Sequence, residues 1–131
     1  MKKTQKITSW IFQIIAAIIL LQTLFFKFTG AEESKYIFST IGMEPYGRIG
    51  SGIVELVACV FLLFIPRLFW FGALIGLGTI AGAIFFHLTK LGIEVQGDGG
   101  LLFTLAVITF ISCLLVLIIR RKDIPYLGES L

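Results

Sequence analysis

The sequence predicts an all-α protein: a four-helix transmembrane bundle with a short amphipathic helix in its first outer loop. Three observations carry this expectation. Of 131 residues, 57% are hydrophobic and only 15% charged, whereas ordinary soluble domains carry about 25% charged residues. The mean hydropathy is +0.99, which implies more apolar surface than a soluble fold of this length could hide. The apolar residues also fall into four runs, each close to the roughly 20 residues a helix needs to cross the hydrocarbon core. The chain therefore reads as one membrane domain over 1–131, with no sizeable soluble part.

The first span is expected at about 9–28, interrupted by Gln13 and Gln22 and closed by Lys27. The second, about 49–65, contains one acid, Glu55. The third, about 68–88, ends on the only histidine, His87, and the fourth, about 100–119, has no charge. Only Pro66 and Arg67 separate the second and third spans, so these two must form a tight antiparallel hairpin. Lys2, Lys3 and Lys6 before the first apolar run imitate a secretory signal, and a cleavage after Ala31 is conceivable. The run is longer than the usual 7–15-residue core of such signals, and Lys27 stands close to that point, so the first span reads as retained.

Basic residues in short loops set orientation. With the N-terminus inside, Lys2, Lys3, Lys6, Arg67, Arg120, Arg121 and Lys122 lie inside, against Lys27, Lys35, Arg48 and Lys90 outside. Seven against four places both termini on the cytoplasmic side. The net charge of +3 lies mostly at the chain ends, which indicates orientation in a membrane rather than nucleic-acid binding.

The first outer loop, about 29–47, is too long for a simple turn. A short helix is expected over 31–41: Glu32 and Glu33 suit its first turn, where the helix dipole favours acids. Tyr36, Ile37, Phe38 and Ile41 supply an apolar side, and Gly42 and Pro45 end it. It would lie at the outer surface or fold back over the bundle. Gly97-Asp98-Gly99-Gly100 in the third loop reads as a turn.

The polar residues that lipid should exclude carry the functional signal. A charge at the centre of a span costs about 2.5–3.5 kcal/mol on insertion scales, so Glu55 needs a partner, a proton or a wet cavity. Glu55 and Gln22 each lie roughly 9 Å below the outer edge of their helices, at 1.5 Å per residue. His87, Arg48 and Lys27 lie nearer that edge. Glu55, His87, Arg48, Lys27 and Gln22 thus converge on the outer half of the bilayer from three helices. Arg48 and Glu55, seven apart, share a face with Ser51, Gly52 and Cys59. Gly72, Gly76, Thr79, Ala83 and His87 form a small-residue stripe that points the histidine inward, since small residues let membrane helices approach. Glu55 could accept from Arg48, His87 or Lys27, with Gln22 bonding to the remaining group. The cluster is either structural glue or an outward-facing site at which Glu55 and His87 exchange protons or hold a polar head group. Cys59 and Cys113 read as apolar fillers, with a redox pair as the alternative. Trp10, Trp70 and Tyr126 suit the inner interface. No metal-binding, haem-attachment, phosphate-loop or nucleophile-elbow pattern occurs.

Several stretches together resemble the DoxX family of small bacterial membrane proteins. They are Phe26-Lys27-Phe28 with the amphipathic segment after it, Arg48-x-Gly50-x-Gly52-x-x-Glu55, Gly82-Ala83-Ile84-Phe85-Phe86-His87-Leu88, and Gly99-Gly100-Leu101-Leu102-Phe103. The resemblance covers about 11–121. It implies a four-helix bundle in the bacterial cytoplasmic membrane and marks Lys27, Arg48, Glu55 and His87. It also implies a link to respiratory and sulfur redox chemistry near the quinone pool. No residue here could itself hold haem, an iron–sulfur cluster or a metal, so a redox role would need a quinone, a partner subunit, or both. The expected function is an accessory component of a membrane redox system. A non-enzymatic scaffold is the alternative, and a small transporter is disfavoured by the lack of an inverted repeat or broken helix.

Overall fold

Inside a bilayer no water satisfies the backbone, so an apolar run must close its hydrogen bonds internally, as a helix does. The computed structural model describes residues 1–125. Its long helices are α1 (Lys3–Thr29), α3 (Tyr46–Phe64), α4 (Phe69–Phe86) and α5 (Leu101–Ile119), with the short α2 (Glu32–Thr40) between α1 and α3. Four segments are long and apolar enough to cross a membrane, Lys3–Thr29, Tyr46–Phe64, Pro66–Leu91 and Leu101–Ile119. The chain is a multi-pass membrane protein. Tyr126 lies outside the described residues.

Helix α1 packs on α3 and α5, and α4 packs on the same two. The bundle is therefore a four-membered ring in the order α1, α3, α4, α5. Its core mixes small and large side chains, with Ala16, Leu62, Ala73, Cys113 and Val116 in one cluster and Ala17, Leu20 and Cys59 in another. Both cysteines are buried and unbonded. Helices α3 and α4 approach closely at Gly72, where an added Cβ would lie 2.7 Å from the Leu62 amide nitrogen and 2.9 Å from the Ala58 carbonyl oxygen. Of the two GxxxG pairs on α4, only Gly72/Gly76 is used inside the bundle. Gly78 and Gly82 have nothing within 4 Å of an added Cβ.

The α3–α4 hairpin turns through a 3-10 segment, Pro66–Leu68. Proline has no N–H, so Pro66 cannot return a helical hydrogen bond to the carbonyl of Leu62 four residues earlier. Gln13 of α1 fills the gap, its Nε2 donating to Leu62 O at 2.5 Å. Ser9 Oγ donates to Gln13 Oε1 at 2.6 Å, and Arg120 Nε donates to Ser9 Oγ at 2.9 Å. The donors run one way, from Arg120 through Ser9 and Gln13 to the backbone, and tie α1, α3 and the end of α5 together. The Arg120 guanidinium also lies 5.0 Å from the Phe69 ring centroid, and Trp10 packs edge-on against Phe69 at 5.1 Å. Gln13→Leu should lower stability by about 1–3 kcal/mol, because it leaves the buried Leu62 carbonyl without a donor. Unfolding of the purified variant in mixed micelles checks this; an unchanged midpoint would mean that another group satisfies the carbonyl.

The α2 segment folds over the bundle at the end opposite the termini, hereafter the α2 end, where it touches α1 and α3. Its buried side is Ser34 and Phe38, with Ile37 and Ile41 half-buried. Tyr36, expected on the apolar side, faces away and is exposed. Residues 34, 38 and 41 share one face at the helical period, and 36 falls opposite. Helix α1 stops at Gly30, whose left-handed backbone (φ 68°) turns the chain so that the Ala31 N–H reaches Phe26 O at 3.0 Å.

Candidate functional site: a cavity at the α2 end

Arg48 sits in the first turn of α3, beside the C-terminus of α1. The last carbonyls of a helix have no intrahelical donor, and Arg48 Nη1 donates to one of them, Lys27 O. Arg48 Nε meets both oxygens of Glu44, at 2.9 and 3.0 Å. The guanidinium is buried and engaged in joining α1 to α3. It does not reach Glu55, although the two residues share a helix face.

The partner of Glu55 is Lys27, whose Nζ lies 2.5 Å from Oε1. Glu55 is the deeper member, with a side chain 4% exposed against 14% for Lys27. Lys27 Nζ also stands 5.5 Å from the Phe38 ring centroid, so the roof helix α2 covers the pair. Thr23 Oγ1 lies 3.0 Å from Glu55 Oε2 and 2.8 Å from Leu20 O. Having one proton, it can donate to only one of them at a time. Thr23 takes the place expected for Gln22, which is exposed and makes no side-chain hydrogen bond among the described residues. The signal was available: Thr23 is four residues from Lys27 and shares its face, and Gln22 is one step off.

His87 lies apart from this pair. It opens a single π-turn, His87–Leu91, that extends the C-terminal end of α4. His87 is buried, with Nδ1 2.9 Å from Gly92 O and its ring edge-on to Phe103 at 5.6 Å. A carbonyl only accepts, so Nδ1 carries the hydrogen of this bond. In the neutral imidazole the free lone pair is then on Nε2.

Asp98, not singled out in the sequence beyond its turn, organises the loop beside His87. Its Oδ1 accepts from Val95 N (3.0 Å) and Gly100 N (2.8 Å), and its Oδ2 accepts from Leu102 N in the first turn of α5 (3.1 Å). Partial burial works against the charge. The three backbone donors, helped by the positive charge His87 can carry, outweigh it and hold the carboxyl below its usual value. The folded value is depressed, so the stabilisation is fully present above the ordinary carboxylate range and is lost as pH falls through the lower folded value. Amide protection at Val95, Gly100 and Leu102 should therefore be level from pH 7 to pH 5 and weakened at pH 7 by Asp98→Asn. A variant as protected as the parent would remove Asp98 from this role.

These elements enclose a cavity of about 420 Å³. Its wall is mostly apolar, with Leu20 from α1, Ile80 from α4, Leu102 and Ala106 from α5, and Ile37 and Phe38 from α2. The polar groups on it are Gln22, Thr23, Lys27, Ser51, Glu55, Thr79, His87, Asp98 and, from α2, Glu33 and Ser34. The small-residue stripe of α4 does lead inward: Gly72 and Gly76 pack in the bundle, and Thr79, Ala83 and His87 line the cavity. Of the five polar residues expected to converge, Lys27, Glu55, His87 and Gln22 line it, and Arg48 stands behind Lys27 as a brace. Among the described residues no three His, Cys, Asp or Glu side chains group as a metal site would require. Comparison with protein-family models, curated proteins and solved structures yields no match.

Proposed function

We propose that the chain is a DoxX-like protein of the bacterial cytoplasmic membrane, with both termini in the cytoplasm. We read it as an accessory component of a membrane redox system whose α2-end cavity receives a quinone. The observation that carries this reading is the cavity itself: about 420 Å³, walled by apolar side chains, with the Lys27–Glu55 pair and His87 on its surface. Ligand sites of this kind are mostly apolar with a few polar groups that fix orientation, and ionisable groups kept inside a membrane are functional candidates by default. The wall fits the apolar body of a quinone; Lys27 Nζ, which has three donors, would give one to a ring oxygen, and His87 Nε2 would accept from a hydroxyl of the reduced form. A bound quinone would carry the electrons; the chain itself would orient the ring, exclude water and hold a proton at His87 Nε2. The excess of basic residues at the terminal end supports the orientation.

The test is equilibrium binding of decylubiquinone to the protein in lipid nanodiscs. Saturable binding is expected, weakened about tenfold or more by Glu55→Gln, which releases the Lys27 ammonium from its place on the cavity wall to the interface. A second reading, a non-enzymatic scaffold, is favoured by one observation: both Glu55 oxygens already have donors within reach. No quinone binding, together with a stoichiometric partner protein on gentle extraction, would decide for that reading.

A further inference from the structure

The wall of the cavity reaches from the core to the surface that faces lipid. Leu20 and Ala106 on its floor are buried, whereas Phe26 of α1 and Leu101 of α5, also on its wall, are 44% and 56% exposed. Helices α1 and α5 are neighbours in the ring, so the exposed wall on these two helices would form a mouth between them, edged on the α2 side by the exposed Glu33 and Met43. A ligand using that mouth comes from the bilayer and must be soluble there.

The charges on the wall restrict its head group. Glu55 is committed to Lys27, and Asp98 to three backbone N–H groups. Glu33 is exposed at the rim. Against three carboxylates the wall sets one lysine, already paired with Glu55, so a carboxylate or phosphate head would meet no permanent cation free to receive it. The deep carboxylates are already paired, so a buried ammonium would also go uncompensated, at high cost. Gln22, Ser34, Thr79 and His87 Nε2 are the neutral polar wall groups that make no side-chain hydrogen bond among the described residues; the amide and the two hydroxyls can donate or accept, and Nε2 differs from them in having one fixed role. It is held as an acceptor by the Nδ1 bond to Gly92 O. A lone pair of this kind wants a donor.

We propose that the cavity takes a neutral, hydroxyl-bearing amphiphile from the bilayer, through a mouth between α1 and α5, and seats its hydroxyl on His87 Nε2. The inference rests on the reading above for the cavity as a ligand site and needs no redox chemistry. If the alcohol occupies the cavity and no quinone binds, the redox reading falls alone. If decylubiquinone binds and the alcohol cannot displace it, this inference falls alone.

The experiment uses the full chain in nanodiscs and a dodecanol carrying a diazirine in mid-chain, with labelled residues mapped by peptide mass spectrometry. Labelling is expected at floor residues such as Leu20, Ile80 or Ala106. Plain dodecanol should suppress it at least about tenfold better than dodecanoate, and His87→Phe should weaken it by a similar factor, the worth of one good hydrogen bond. Ala83→Phe, which fills the cavity one turn from His87 and leaves the imidazole in the chain, should abolish the floor labelling and serves if His87→Phe does not fold. Labelling confined to lipid-facing residues, equal competition by dodecanoate, or floor labelling that survives in both variants would overturn the proposal.

Discussion

Lys27→Met should destabilise the protein far more than Glu55→Gln, although the two residues form one ion pair. Removing a partner from a buried pair strands the other charge, at a cost of about 3–5 kcal/mol when it cannot find water. Glu55 is the stranded group in Lys27→Met, more than two turns below the start of α3 and 4% exposed. We expect a loss of about 3 kcal/mol there. In Glu55→Gln the stranded group is Lys27, in the last turn of α1. Its long stem lets the ammonium climb to the interface, and the new side-chain amide still offers an oxygen, so about 1 kcal/mol is expected. The double variant should recover most of the loss, because no charge is left without a partner. Reversible unfolding in mixed micelles measures all three. Equal single losses that simply add would show that the pair does not act as a unit.

Gly72→Ala should be the most damaging small change outside that pair. The new methyl would meet the backbone of α3 at Leu62 N and Ala58 O and the Phe61 Cβ, all within 2.9 Å. Backbone cannot rotate away as a flexible side chain can, so α3 and α4 must separate, at about 1–3 kcal/mol for an overpacked site. The same change at Gly78, where nothing lies within 4 Å, should be neutral or stabilising by up to about 1 kcal/mol through helix propensity. Thermal unfolding of the two variants side by side checks the contrast. A Gly72→Ala protein as stable as the parent would mean that the hairpin is looser than described.

Much of this was legible in the sequence because lipid leaves the chain few choices. Apolar length gave the four spans, Pro66 placed the tight hairpin, and Glu32, Glu33, Gly42 and Pro45 bracketed α2. The convergence of Lys27, Glu55 and His87 on one end followed from counting residues along helices. Periodicity could not assign partners. It put Arg48 and Glu55 on one face, but a side chain seven residues away is two turns off, and the C-terminal carbonyls of α1 lay closer to Arg48. It did not separate Gln22 from Thr23, which are adjacent in sequence and about 100° apart on the helix. The Arg120–Ser9–Gln13 relay needed knowledge of which helices are neighbours, and that knowledge comes from packing. Only Pro66, four residues after Leu62, hinted that a carbonyl there would need a donor. The break of α4 into a π-turn at His87 had no sequence signal that we can identify.

The α2-end cavity, as a binding site for a molecule from the membrane, is most directly tested by native mass spectrometry. The protein is extracted gently from its own membranes, beside Ala83→Phe prepared in the same way. A discrete small-molecule adduct of lipophilic mass is expected on the parent and absent from the cavity-filled variant. A parent that carries no adduct, or one that persists unchanged in Ala83→Phe, would contradict this and leave the polar cluster as the fastening of a structural bundle.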